Sequence, residues 1–237
     1  MSTAPLPAPL PAQPQKERAW IFANGEQIHL EAVRELIQPG DFLVAADGGL
    51  HHLRRLGLAP GLVIGDLDSL ELAVIEQLKR EGARVEQHPT HKDETDLELA
   101  VGAVLQAGYA TVLIAGALGG RLDMTLANIF LLGLPELNGV DIRLEDGMEE
   151  VFLIRPAPLG GNEGRLIEGR PGDRVSLLPL GGPARGIFTS GLEYPLHGET
   201  LYPERTRGIS NVQVSGHARV SLEEGILICI HTRSAYG

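Results

Sequence analysis

From Ala19 to about Glu145, short apolar runs alternate with longer mixed segments. The runs are WIFA, FLVAA, LVIG, ARVEQ, TVLIAG and VDIRLE. Apolar on successive positions, they read as strands buried on both faces. The stretches between them predict helices at Gln27–Ile37, Leu50–Leu56, Leu70–Glu81, Thr95–Gln106 and Leu122–Leu134. Leu97, Ala100, Val101, Val104 and Leu105 fall at helical spacing, as do Leu122, Leu126, Ile129 and Phe130. Both stripes read as core. Strand-helix alternation of this kind predicts an α/β domain with a mostly parallel sheet covered by helices.

After Gly147 the texture changes. The runs EVFLIR, GRLIEG, RVSLLPL, ARGIFTS, NVQVSG, ARVSLE and GILICIH are short and punctuated by Gly and Pro. No long helical pattern intervenes, so this half predicts an all-β sandwich or barrel. We place a boundary near 146, giving an α/β unit over 18–146 and a β unit over 147–237. Residues 1–17 are rich in Pro and Ala and read as an extended tail.

Candidate chemistry sits where strands end. LVIG runs into Asp66, Leu67, Asp68 and Ser69. Two carboxylates at i and i+2, past the carboxyl end of a buried strand, lie where open α/β sheets bind ligands. Such a pair suits a hard cation such as Mg²⁺. Asp68 or Ser69 could instead cap the following helix. Three more clusters sharpen the picture: Ala45–Gly49 with Asp47, Gly48 and Gly49; Thr90–Asp96 with Asp93, Thr95 and Asp96; and Gly119–Asn128 with Gly120, Arg121, Asp123 and Asn128. Asp93 and Asp96 stand at i and i+3, which also suits a capping segment. Gathered on one sheet edge, these carboxylates repel one another, and a divalent cation with its phosphate ligand resolves that. The glycine pairs allow close backbone approach to a phosphate, and Arg121 suits it as a donor. Neither a P-loop nor a G-x-G-x-x-G turn is present.

Bulk properties narrow the partners. The net charge of −11 and pI near 5.2 argue against nucleic acid or an anionic membrane. Mean hydropathy is +0.02, and no run reaches the length of a membrane span. Cys229, the only cysteine, lies in an apolar run and reads as an inert buried thiol. The first residues lack the basic and apolar regions of a signal peptide, which points to the cytoplasm.

In this order, ADGG at 46–49, GDLDS at 65–69, DETD at 93–96, GGRLD at 119–123 with Asn128, and GISN at 208–211 resemble the thiamine pyrophosphokinase family. GLEYPL at 191–196 is similar to the family's glycine-aromatic segment. The resemblance implies an N-terminal α/β domain and a C-terminal β-sandwich. It also implies a homodimer with active sites between subunits, and transfer of pyrophosphate from ATP to the thiamine hydroxyl, releasing AMP. On this reading Asp66, Asp68 and Asp96 hold Mg²⁺, Asp47 and Asp93 complete the acidic pocket, and Arg121 binds phosphate. Asp123 orients the substrate, while Tyr194, Ser210 and Asn211 meet thiamine. The chain departs from the family at Leu99, where Lys is usual, and at Met124, where His or Gln is common; Lys92 or His91 could compensate. Other readings remain: a pyrophosphokinase for another hydroxymethyl heterocycle such as a pterin, a HAD-like Mg²⁺-dependent phosphatase, and a non-catalytic thiamine or nucleotide binder.

Overall fold

The structure, a computed structural model, describes residues 16–25, 29–68, 70–157 and 164–234. Of the tail expected over 1–17, residues 1–15 lie outside the described residues, as does Ser69 of the GDLDS segment, while Lys16 and Glu17 begin the first strand instead. The α/β half comprises β1 (Lys16–Phe22), α1 (Leu30–Leu36), β2 (Phe42–Ala46), α2 (Leu50–Arg55) and β3 (Leu62–Gly65). It continues through α3 (Leu72–Arg80), β4 (Arg84–Gln87), α4 (Asp96–Gln106), β5 (Tyr109–Ala115), α5 (Leu122–Leu131) and β6 (Asp141–Glu145). Every expected strand of this half forms. The helices form at the expected places but are shorter. The β half comprises β7 (Glu149–Ile154), β8 (Arg165–Glu168), β9 (Arg174–Pro179), β10 (Ala184–Ser190), β11 (His197–Leu201), β12 (Asn211–Val212), β13 (His217–Ser221) and β14 (Leu227–Thr232). Strand β11 has no apolar run to announce it. HGETL buries only its last residue and pairs with β10 on one side.

The parallel strands follow the order β4-β3-β2-β1-β5-β6. The chain moves outward from β1 to β4, then returns across β1 to start β5 on its other side. That reversal makes the carboxyl ends of β1 and β5 the topological switch point, where such sheets open a crevice. The core lies in two layers on either face of this sheet. One contains Ile21, Val44, Ile64, Val101 and Ile114; the other contains Trp20, Phe22, Leu53 and Val63. Alternate residues of the same strands feed opposite layers, as a strand with helices on both faces requires.

The two halves share one sheet. β6 pairs antiparallel with β7, and β14, β9 and β12 extend the array into a ten-stranded sheet. A four-stranded sheet, β11-β10-β13-β8, packs over the added strands through Phe152, Ile167, Ile187, Val220 and Cys229. This is the expected β-sandwich, and Cys229 is buried with its thiol pushed far up by burial.

One stripe does not behave as expected. Leu97, Ala100, Val101 and Val104 of α4 are buried, with Leu105 partly so. On α5, by contrast, Leu122 is 72 % exposed, Leu126 43 % and Phe130 55 %. Helical periodicity identifies an apolar face but not what covers it, and among the described residues nothing covers this one. Asn128 and, beyond the helix, Leu132 are the buried positions instead.

The joint between the halves is ionic. Glu145 and Glu150 face each other across β6 and β7, at 2 % and 4 % exposure. Arg233 donates to both oxygens of Glu145, at 2.7 and 2.8 Å. Arg143 reaches Glu150 at 2.9 Å, and the His231 ring meets Glu150 at 3.0 Å and Asp173 at 3.2 Å. Burial alone would raise the Glu150 carboxyl, but His231, Arg143 and Arg233 hold it below the ordinary range. At Glu145 burial wins over Arg233, and the carboxyl is raised.

Removing Arg233 strands a buried carboxylate. Arg233→Met should cost about 2–4 kcal/mol, toward the lower end for a buried pair because Arg233 is partly exposed. Denaturant unfolding measures it. The double variant with Glu145→Gln should recover much of the loss. Equal losses in the single and double variants would show that the pair is not coupled.

Candidate active site

A cavity of about 570 Å³ opens at the switch point. Its walls come from the loops that follow β1, β2, β3 and β5, and from the segment leading into α4. Asp47, Asp66, Asp96, Thr95, Gly120, Arg121 and Asn128 line it, as the strand-end pattern predicts. Lys92, Thr90, Asn24 and Gly25 line it too. Asp68, Asp93, Asp123, Gly48 and Gly49 do not form its walls, though Asp68 is close enough to raise the Asp47 carboxyl.

The carboxylates are under-neutralised. Burial raises the Asp47 carboxyl first; the Gly48 N–H opposes this, and Asp96, Asp66 and Asp68 add to it. Asp47 Oδ1 is buried with no hydrogen-bond partner. Lys92 stands 13 % exposed with its Nζ 2.6 Å from Asp96 Oδ1, and is the nearby cation the sequence offered in place of Leu99. Among the described residues, no three acidic or His side chains converge into a ready cation cage. All-oxygen donors plus an orphaned buried oxygen still suit Mg²⁺, which commonly takes one or two carboxylates together with phosphate oxygens.

The capping alternatives separate cleanly. Helix α3 begins at Leu72 after Glu71, with no side-chain cap, so Asp66 and Asp68 are not spent on it. The nearest local contact is the Asp68 N–H, 3.4 Å from Asp66 Oδ1. Helix α4 is capped by Thr95, whose hydroxyl accepts from the Glu98 N–H at 3.2 Å. Asp96 occupies its first turn, where the helix end favours negative charge.

The glycines divide by role. A Cβ at Gly49 would sit 1.8 Å from the Phe22 carbonyl oxygen, and one at Gly48 2.3 Å from Asn24 Oδ1. These two let the β2 loop pack on the end of β1. Gly119 and Gly120 take φ of +79° and +66° with open space around them, so there the backbone conformation requires glycine. Gly120 then faces the cavity. Beyond it, Arg121 forks onto Asp123 at 3.1 and 2.6 Å; both side chains are exposed, so the contact is open to exchange. Asn128 donates to the Ala117 carbonyl at 2.9 Å and holds the β5 loop in place.

Asn24 and Gly25 escaped the sequence reading, although an Asn-Gly step directly after the strand WIFA marks them. The Gly25 N–H donates to the Gly116 carbonyl at 2.9 Å, tying the β1 and β5 loops together. His52, at 1 % exposure, donates from Nε2 to the Gly25 carbonyl at 2.7 Å. Its Nδ1 is buried without a partner, and burial lowers the ring's affinity for a proton, with His51 and Arg55 adding to this.

The residues expected to meet thiamine lie elsewhere. Tyr194, Ser210 and Asn211 belong to the β half, outside this cavity. Tyr194 is 66 % exposed. The Asn211 carboxamide is engaged internally. Its Oδ1 accepts from the Tyr194 N–H at 3.0 Å, and its Nδ2 donates to the Tyr194 carbonyl at 2.7 Å.

Two family models match in chain order. Residues 33–144 match the thiamin pyrophosphokinase catalytic domain, and residues 165–227 match the thiamin pyrophosphokinase vitamin B1 binding domain. The chain is 27 % identical over 190 residues to a thiamine pyrophosphokinase of Bacillus subtilis (strain 168), covering 80 % of this chain and 86 % of that one. It is 24 % identical over 186 residues to thiamine pyrophosphokinase 1 of Oryza sativa subsp. japonica, covering 76 % and 69 %. Among solved structures, thiamine pyrophosphokinase from Bacillus subtilis superposes with a TM-score of 0.79 at 25 % identity, over 93 % of this chain and all (100 %) of that one. A thiamin pyrophosphokinase family protein from Enterococcus faecalis gives 0.75 at 26 % identity, over 92 % and 100 %.

The state of His52 gives a test independent of ligand. Its proton affinity is lowered on folding, so its stabilising contribution is full above the unfolded value of about 6.5 and is lost as pH falls through the folded value. Acidification from neutral pH should therefore destabilise the wild type, and His52→Gln should flatten that part of the profile. Thermal unfolding across this range is the measurement. Parallel profiles for the two proteins would remove His52 from the account.

Proposed function

The chain belongs to the thiamine pyrophosphokinase family, and on that premise we propose how its residues divide the work of moving a diphosphoryl group from ATP to thiamine. The observation that carries the reading is the under-neutralised carboxylate cavity at the switch point, joined in one chain to a vitamin B1 binding domain. The α/β half holds ATP, and the β half supplies the thiamine contacts. No helix among the described residues is long and apolar enough to cross a membrane.

In the transfer, the thiamine hydroxyl oxygen bonds to the β-phosphorus of ATP. The bond from that phosphorus to the α-phosphate oxygen breaks, AMP leaves, and the hydroxyl proton passes to a carboxylate of the pocket. Asp66, Asp68 and Asp96 would hold Mg²⁺ with help from the orphaned oxygen of Asp47. When bound, Mg²⁺ offsets charge on the phosphate oxygens as the bond breaks. Gly120 and the end of the β5 loop let the nucleotide's phosphates approach the backbone. Arg121 turns from Asp123 to phosphate, which frees Asp123 to orient the substrate. Asp93, next in sequence to the wall residues Lys92 and Glu94, would complete the acidic pocket through water or ribose contacts. Tyr194 offers a face to the cationic thiazolium ring, and Ser210 a polar edge.

The cavity and the thiamine segment do not meet within one chain, and this supports a homodimer with sites completed across subunits. Leu122, Leu126 and Phe130 form an exposed apolar face on α5, and Met124 and Arg121, at the start of that helix, wall the cavity. Ile209 and Val214, at 47 % and 56 % exposure, flank the thiamine segment. A second copy lying across α5 covers apolar area and brings its own Tyr194 and Ser210 to the cavity. An aqueous cytoplasmic setting suits these substrates.

Protein incubated with ATP, Mg²⁺ and thiamine should yield thiamine diphosphate and AMP, and chelation should stop the reaction. Asp66→Asn, Asp68→Asn and Asp96→Asn should each lose most turnover while staying folded. ADP or free phosphate as the product, or near-normal turnover in all three variants, would overturn the assignment. A hydroxymethylpterin in place of thiamine should give little product.

Light scattering should report a dimer for the wild type. Leu126→Glu should shift it toward monomer and reduce turnover together, because the site is shared. A monomeric and fully active wild type would end the shared-site proposal.

A further inference from the structure

Among the described residues, only three non-glycine residues take left-handed backbone: Asp47 at φ 45°, Leu67 at 56° and Ser210 at 57°. Side chains with a Cβ rarely adopt this conformation, and where they do it clusters at functional sites. Asp47 and Leu67 belong to the two carboxylate loops of the cavity. Ser210 belongs to the proposed thiamine segment. Leu67 is held by burial of its side chain at 2 % exposure. Ser210 is exposed and has no such anchor, so something else must hold its turn.

The segment around it is tied to β9 at three successive positions. The Leu177 N–H donates to the Gly208 carbonyl at 2.9 Å, and Asn211 pairs with Val175 as a strand. Between these two, the Ser210 N–H donates to the Ser176 hydroxyl oxygen at 2.9 Å. That middle tie is the one made by a side chain. Val175 and Leu177 are buried, so alternation turns Ser176 to the opposite side of β9 from the core they enter. A hydroxyl there has no packing duty to explain it. It supplies an acceptor at the place where the strained residue needs one.

We propose that Ser176 is a positioning residue for the substrate segment. Its hydroxyl fixes Ser210 in the left-handed turn, and the turn sets where Ser210 presents its side chain. The turn also sets where Asn211, through its two bonds to the Tyr194 backbone, places the aromatic ring. Ser176 itself touches no substrate. This rests on the reading of residues 194 and 210–211 as the thiamine side of the site.

The test compares Ser176→Ala and Ser176→Thr with the wild type. Ala removes the acceptor but fits the strand. Thr keeps the hydroxyl and suits β backbone. Losing one such bond should raise KM for thiamine, and the Kd of thiamine measured without ATP, about threefold to tenfold. KM for ATP and the melting temperature should hold, and Thr should restore thiamine binding. Thiamine binding unchanged in Ser176→Ala overturns the inference. So does an Ala variant in which the melting temperature and both Michaelis constants shift together, since that marks a general role in folding. A wild type that makes no thiamine diphosphate fails before any variant is compared, and that outcome overturns the functional reading and this inference with it.

Discussion

Glu145 and Glu150 face each other, buried, across the antiparallel step from β6 to β7. Like charges opposed in a sheet repel, and in a dry setting the cost is large. They are tolerable because Arg233 and Arg143 reach them from outside the pair and His231 bridges Glu150 to Asp173. Each partner comes from a different segment: β6 gives Arg143, β14 gives His231, and the chain beyond β14 gives Arg233. The network can close only when the C-terminal strand lies beside β7. A parallel α/β sheet could end at β6, but here it continues into the sandwich. The segment that begins β12 at Asn211 hangs on the same strands, since β12 pairs with β9 and β9 with β14. The Gln213 N–H also bonds the Asp173 carbonyl at 2.8 Å. The geometry of the β half is thus referred back to this buried ionic joint.

The acidic cluster around Asp47 is built on the opposite plan. At the joint, the carboxylates have cations from the chain itself. Around Asp47, the chain provides Lys92 to Asp96, leaves an oxygen of Asp47 bare, and lets the repulsion stand. The first arrangement fixes structure, and removing a partner destabilises it. The second stores repulsion that a ligand can relieve, which is how perturbed groups at a cleft come to mark function. The two clusters are alike in composition. What separates them is whether the counter-charges are resident.

The strand ends were legible because their chemistry follows from a simple rule. A doubly buried strand must stop where polar residues begin, and in a parallel sheet those stops share an edge. Asp47, Asp66 and Asp96 follow from that alone. The rest needed information that periodicity does not carry. The stripe on α5 is a true apolar face, but pattern cannot say whether its cover is this chain or another. Strand β11 is polar because one side of its small sheet meets solvent, so no apolar run marks it. The ionic joint is invisible because its members are far apart in sequence, Arg233 lying 88 residues from Glu145. The resemblance implies Asn211 as a substrate contact, and in the structure its carboxamide also bonds the Tyr194 backbone. Its use is set by a neighbour 17 positions away, which no spacing rule reaches.

These observations meet in how the site is divided. A cavity walled by one half of the chain and the proposed thiamine segment carried by the other must be brought together by something. The ionic joint sets both halves on one continuous sheet, and a continuous sheet is stiff. Folding the two halves of a single chain onto each other would break the β6–β7 pairing and expose Glu145 and Glu150 unpaired. In the proposed dimer the second half would come from another copy, leaving that pairing intact and covering the apolar face of α5. The constraint that fixes the fold is therefore compatible with the proposed site between copies and opposes closing it within one.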